Sequence, residues 1–219
     1  MARLARVVVP GYPHHITQRG NRRQQVFFED SDYSYYLDLL KEWCGQEGIE
    51  VWAYCLMTNH VHLIVTPNKQ SNLSRAIGEM HRRYTRMINF RNRWKGYLWQ
   101  GRFASFPMDE HWLLKAAAYV ELNPVKAGIV SNAWDYQWSS VHAHLSGKDS
   151  DGIILPDRLL AMTGDWRTYL QDAQYGVNDS LEQHERTGRP LGSEGFIEKA
   201  ERLLERELKK KKPGPKPAV

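Results

Sequence analysis

The sequence predicts an α+β fold of the ferredoxin-like, split-βαβ type: an antiparallel sheet with helices on one face, followed by a helical C-terminal extension. Three observations carry this. The apolar period alternates between strand-like and helix-like in the order β-α-β-β-α-β-α, ending near Asn123. A two-residue turn, Thr58-Asn59, separates two β-patterned runs and sets up a hairpin. Both intervening helical patterns keep their apolar residues on one side.

Each element follows from local chemistry. Residues 7–19 read as the first strand, from Val7, Val8 and Val9 through Ile16 and Thr17, and a polar basic loop follows over 19–25. A helix starts at Ser31, capped by Asp30 or Ser31. Tyr33, Tyr36, Leu37, Leu40, Trp43 and Cys44 recur at helical spacing, and Gly48 stops it. Ile49 to Met57 is rich in β-branched and aromatic residues, and His60 to Thr66 is the returning strand. The second helix runs over 71–89 with Leu73, Ile77, Met80, Tyr84, Met87 and Ile88 as its stripe. Residues 97–107 read as a strand. The third helix runs from Asp109 to about Asn123, where Pro124 disfavours helical geometry. Beyond Gly128 the pattern weakens to short helices over 156–162 and 166–174 and a polar, Gly-rich stretch over 176–192. An amphipathic helix from Ser193 to Leu208 follows, and then a lysine-rich tail expected to be disordered.

Composition narrows the function classes. Of 219 residues, 42% are apolar and 25% charged, which suits a folded core. No apolar run approaches the roughly 20 residues of a membrane-spanning helix, and the N-terminal apolar stretch is too short for a signal peptide. Cys44 and Cys55 read as buried thiols of a reducing cytoplasm, so the expected location is cytoplasmic, with no membrane partner. The net charge of +5 is unevenly spread: residues 71–102 hold eight basic residues and one acidic. Residues 103–208 hold ten basic and seventeen acidic, and 209–219 add five lysines. A localised basic stretch implies a polyanion, most commonly nucleic acid, with a solvated helix face as the bland alternative.

The sharpest local feature is His60-Val61-His62. Spaced by two on a strand, both imidazoles share a face while Val61, Leu63 and Val65 take the other. Two imidazoles on one face are half of a divalent-metal site, or simply two hydrogen-bonded histidines. His142-Ala143-His144 repeats the spacing in a less regular segment. Tyr119 and Asn123, four apart, share a helix face: a candidate nucleophile and an amide oxygen, or a packed ring and a helix cap.

Together these residues resemble the single-tyrosine HUH transposases, and most closely their REP-associated tyrosine transposase relatives. The resemblance rests on five segments in order: His14-His15-Ile16-Thr17-Gln18-Arg19-Gly20-Asn21-Arg22-Arg23, Met57-Thr58-Asn59-His60-Val61-His62, Trp99-Gln100-Gly101-Arg102-Phe103, Tyr119-Val120-Glu121-Leu122-Asn123-Pro124-Val125-Lys126-Ala127-Gly128 and Tyr136-Gln137-Trp138-Ser139-Ser140. It implies an HUH endonuclease fold and a catalytic domain over 1–145, with a helical extension over 146–208 and a basic tail over 209–219. It implies that His60 and His62 hold Mg²⁺ or Mn²⁺, with Asn123 as third ligand where mobile members often carry Gln. Tyr119 would attack the scissile phosphate of single-stranded DNA, leaving a 5′-phosphotyrosine and a free 3′-OH that allows strand transfer. Arg19, Arg22, Arg23, Arg75, Arg82, Arg83, Arg86 and Arg102 are the expected DNA contacts. The implied partner is single-stranded or hairpin DNA from repeated palindromes, bound by a monomer or homodimer associated with the nucleoid. Thr187-Gly188-Arg189-Pro190 and the Lys-Pro tail loosely resemble AT-hook cores. Two alternatives stay open: a non-catalytic regulator that binds structured DNA or RNA, and a metal hydrolase that uses water.

Overall fold

The computed structural model describes residues 5–70, 72–174 and 179–209. Strands β1 (His14–Arg19), β2 (Ile49–Met57), β3 (His60–Pro67) and β4 (Ala104–Pro107) form one antiparallel sheet in the order β2-β3-β1-β4. Helices α1 (Asp30–Glu47) and α2 (Asn72–Arg91) join them in the predicted order and pack on one face. This is the split-βαβ topology expected from the sequence.

The local signals explain the elements. Glu29 and Asp32 exchange capping hydrogen bonds at the start of α1. Gly48 ends the helix at φ +63°, and a Cβ there would sit 2.5 Å from the Asn68 side-chain nitrogen. Alternation divides the sheet: Ile16, Leu56, Val61, Leu63 and Val65 face α1 and α2, while Ala53, Cys55, Ile64 and Phe106 face the other way. That second face is covered by α3 (Glu110–Glu121) and the C-terminal extension. Cys44 and Cys55 are buried free thiols, as read from the sequence. Among the described residues no helix is long and apolar enough to cross a membrane.

Several boundaries differ from the sequence reading. The first strand begins at His14, not residue 7, because Pro10 and Gly11 (φ +76°) turn the chain. Val7 and Val9 bury against Ala200 and Leu208 instead. The strand expected from residue 97 starts at Ala104, since Gly96 (φ +100°) and Gly101 (φ +146°) hold the preceding segment as a loop. Pro124 falls in the first turn of a short following helix, α4 (Asn123–Lys126), where its missing N–H costs nothing. Helical structure therefore continues past the expected stop.

After α4 comes α5 (Val141–Ser146), and the extension contributes α6 (Pro156–Thr163), α7 (Trp166–Gln174), α8 (Asp179–Thr187) and α9 (Glu194–Leu204). Helix α8 lies where the sequence suggested only a polar stretch. Helix α9 ends four residues before Leu208 because Glu205 turns left-handed. The expected disorder of the tail beyond Lys209 lies outside the described residues. The segment from Tyr136 to Ser140 covers the free edge of β2. Its Trp138 carbonyl accepts from the Leu56 amide at 2.9 Å, and the Ser140 amide donates to the Tyr54 carbonyl at 3.0 Å.

One buried carboxylate on α3 holds the segment 140–144 and, through Trp166, the extension. Glu121 is fully buried and accepts hydrogen bonds from Ser140 Oγ (2.5 Å), His144 Nδ1 (2.6 Å) and Trp166 Nε1 (2.7 Å). Removing the acceptor leaves the buried His144 and Trp166 donors unmatched, while Ser140 Oγ keeps the Tyr54 carbonyl at 3.3 Å. Glu121→Ala is therefore expected to lower unfolding stability by about 3 kcal/mol in urea denaturation. Glu198→Ala, which breaks an exposed ion pair with Lys209, should cost under about 0.5 kcal/mol. Equal small effects would refute the anchoring role.

Candidate active site

The site lies on the α3 face of the sheet, where β1 and β3 run side by side. Their register sets Thr17 opposite His62 and Arg19 opposite His60. Because alternate residues share a face, His15, Thr17, Arg19, His60 and His62 converge on one patch. The His60 and His62 ring centroids are 5.0 Å apart. His62 stacks on His15 at 5.2 Å, with His15 Nε2 and His62 Nδ1 hydrogen-bonded at 3.0 Å. Tyr119, on α3, completes the cluster, its ring centroid 5.8 Å from that of His15 and 5.9 Å from that of His62.

Neighbours fix these groups. The Asn59 amide nitrogen donates to the Arg23 carbonyl at 3.2 Å, which turns its oxygen toward His60. His60 Nδ1 donates to that oxygen at 2.6 Å, leaving the Nε2 lone pair for a ligand. Lys126 Nζ lies 4.4 Å from the Tyr119 ring centroid. The Asn123 side-chain nitrogen donates to the Tyr119 carbonyl at 2.8 Å, so it also closes the turn beneath the tyrosine.

Burial sets the charge states. It pushes the His15 imidazolium down to about 3 and His60 to about 4, with Arg19 adding to the effect on His60. His62 falls well below the ordinary histidine value through burial and then the neighbouring His15, His60, Arg19 and Lys126. All three imidazoles are thus neutral at pH 7, the form that binds a metal. Burial, with Glu185 and Glu182 nearby, raises Tyr119 above the ordinary phenol range, so its hydroxyl keeps its proton at rest.

Sequence reasoning passed over two of these groups. His15 was visible in the first segment of the resemblance, but only the β1–β3 register reveals that it meets His62. Glu185 comes from α8, whose apolar periodicity is weak. Its carboxylate oxygen and one ring nitrogen each of His15 and His62 lie within 4.8 Å of one another, a donor set suited to a divalent cation. Thr17 hydrogen-bonds this carboxylate, whose pKa is raised mainly by burial.

The predicted arginines fall into three groups. Arg19 stands beside the imidazoles. Arg22 and Arg23 sit in an exposed left-handed turn next to Asn59, and Arg102 is exposed on the loop before β4. On α2, Arg75 pairs with Glu47 at 3.0 Å, Arg82 with Glu79 at 2.5 Å and Arg83 with Glu42 at 3.2 Å. Part of the α2 charge is therefore spent within the fold. Arg86 lines a groove with Tyr35, Met87 and Phe90. Of the second histidine pair, His144 is buried against Glu121 while His142 is exposed, because helix α5 turns them apart. Arg189 donates to the Leu208 carbonyl at 2.6 Å, so the Thr187–Pro190 segment folds against the protein rather than projecting as an AT-hook.

A paired-histidine strand facing a tyrosine helix on a split-βαβ sheet defines the class, and residues 9–123 match the family described as Transposase IS200 like: the chain belongs to that family of single-tyrosine transposases. It is similar to a REP-associated tyrosine transposase of Haemophilus influenzae, 26% identical over 149 residues that cover 60% of this chain and 85% of that protein. Its fold is that of a solved REP-associated tyrosine transposase bound to a REP hairpin. That match has a TM-score of 0.58 and 21% identity over 69% of this chain and 90% of the other.

The donor set makes a direct prediction. Titration with MnCl₂ at pH 7, followed by calorimetry, is expected to give one binding event. His62→Ala and Glu185→Gln should each weaken it at least about tenfold. Unchanged binding in both variants would rule out the cluster as the metal site.

Proposed function

We propose that this chain cleaves and rejoins single-stranded DNA beside hairpin-forming repeats through a 5′-phosphotyrosine at Tyr119. One observation supports this most: Tyr119 packs against neutral His15 and His62 on the face where His60 also points. A structural tyrosine has no need of three uncharged imidazoles, a carboxylate and two cations around it.

His60 and His62, with Glu185 or Asn123, are the residues that would hold Mg²⁺ or Mn²⁺. Such an ion supplies Lewis-acid polarisation of the phosphate and neutralises charge on the departing oxygen. The chain's own residues do the rest. Arg19 and Lys126 draw the phosphodiester onto the histidine face. The Tyr119 oxygen attacks phosphorus as it gives up its proton. The P–O3′ bond breaks, and the 3′ oxygen leaves and takes up a proton. The new tyrosyl phosphodiester conserves the bond, so a second 3′-OH can reverse the step and join strands without a nucleotide cofactor. Burial holds the proton on the resting phenol, so that proton leaves only as the attack proceeds. The hairpin held by the solved relative is the substrate class this reading adopts, with the exposed arginines of 22, 23 and 102 on its phosphates. A cytoplasmic, nucleoid-associated protein acting as a monomer or homodimer fits this reading.

The test is covalent. The full chain is incubated with Mn²⁺ and labelled single-stranded DNA containing genomic hairpin repeats, then resolved on a denaturing gel. A protein–DNA adduct that maps to Tyr119 and disappears with EDTA or Tyr119→Phe is expected. Cleavage to a free 5′-phosphate without an adduct would replace this reading with water-mediated hydrolysis, and hairpin binding without cleavage would replace it with a regulator.

A further inference from the structure

The loop that replaces the expected strand over 97–103 connects the site to a second cavity. Strand β4 pairs with β1 only from His14 to Thr17. Past Thr17 the edge of β1 meets this loop: Gly20 bridges Trp99, and the Gln100 amide donates to the Arg19 carbonyl at 2.9 Å. The Gln18 side-chain nitrogen donates to the Gly101 carbonyl at 2.7 Å. Gly101, at φ +146°, has open space where a side chain would stand. The loop is thus a low saddle over the sheet edge.

A hollow lies on each side of this saddle. On the active-site side it holds about 340 Å³ and is lined by Thr17, Arg19 and Glu185 among others. On the α2 side an open cavity of about 880 Å³ is walled by Tyr97, Trp99 and Phe103. The two share Gln18, Gly101 and Arg102. No aspartate or glutamate lines the larger cavity, whereas Arg6, Arg82 and Arg102 do. The Arg6 guanidinium lies 3.5 Å over the Phe103 ring. Tyr97 is 86% exposed, a large ring standing in water beside this cationic rim, and the buried Trp99 indole N–H lacks a hydrogen-bond partner among the described residues.

We propose that the larger cavity takes an unpaired nucleobase of a DNA single strand whose backbone crosses Gly101 and Arg102 from the Tyr119 site. The proposal rests on the single-stranded-DNA reading of that site. The exposed Tyr97 ring suits the π-face of a base, and arginines on the rim suit the phosphates on either side of it. The larger cavity itself carries no carboxylate to repel a polyanion, and Glu185 on the active-site side belongs to the cation-binding cluster. Gly101 lets a backbone pass close to the sheet edge. A duplex keeps its bases stacked and gains nothing from such a pocket.

The experiment uses the full chain in EDTA, so that no chemistry intervenes, and an oligothymidylate of about 16 nucleotides as probe. With 5-iododeoxyuridine in the probe, ultraviolet cross-links are expected in the peptide that carries Tyr97 and Trp99. By fluorescence anisotropy, Tyr97→Ala should weaken probe binding about tenfold. Arg102→Ala should weaken it and flatten its salt dependence. Tyr97→Ala should leave affinity for a duplex of equal length unchanged. Tyr97 and Arg102 are exposed, so both variants should keep the parent circular dichroism. Cross-links elsewhere, parental affinity in both variants, or an equal loss on duplex in Tyr97→Ala would overturn the pocket. If the Tyr119 adduct is absent while these cross-links and losses appear, the catalytic reading fails and the pocket stands. If the adduct forms and the variants are silent, the pocket alone fails.

Discussion

The pairing of β1 with β3 is the constraint on which everything else depends. That register places Val61, Leu63 and Ile16 in the core beneath α1 and α2, and the same alternation presents His15, His60 and His62 on the opposite face. A slip of one residue would bury the imidazoles among leucines and expose the valines. Core and site therefore cannot vary independently. Hydrophobic burial on one side fixes, to within a side chain's reach, where the polar groups stand on the other. The Thr58-Asn59 turn serves both ends. It sets the β2–β3 hairpin, and Asn59 orients the ring of His60.

The second constraint is electrostatic. Burial strips the imidazoles of their protons, so that the histidine face offers lone pairs rather than charge. Positive charge comes from Arg19 and Lys126 at its margin, and negative charge from Glu185 on α8. Tyr119 reaches this face because α3 is held by Glu121, whose three hydrogen bonds come from segments well down the chain. The extension is thus part of what positions the tyrosine helix, and α8 supplies a carboxylate to the same face.

Much of this was legible in the sequence. The element order, the hairpin and the shared face of His60 and His62 depend on local periodicity and turn chemistry, which the sequence states directly. The parts that were not legible depend on partners distant along the chain. His15 meets His62 only through strand register. Arg75 and Arg83 pair with Glu47 and Glu42 on another helix, so a segmental charge count overstates what α2 offers to DNA. Helix α8 has only Leu181 as a fully buried apolar anchor, too little for periodicity to detect, and Glu185 was missed with it. Val7 and Val9 have strand propensity, but Pro10 and Gly11 redirect them into a separate cluster. Tertiary packing, not local preference, decided each of these.

The most direct test of the account is to see the phosphate, the ion and the ring together. A crystal of the Tyr119→Phe chain with a hairpin bearing a single-stranded extension, grown with Mn²⁺, gives this by anomalous scattering. The account predicts one manganese peak bonded to His62 and at least one of His60, Glu185 or Asn123. It also predicts a phosphate of the single strand on the metal, facing the ring at position 119. A manganese site away from the β1–β3 face, or a single strand that bypasses position 119, would contradict it.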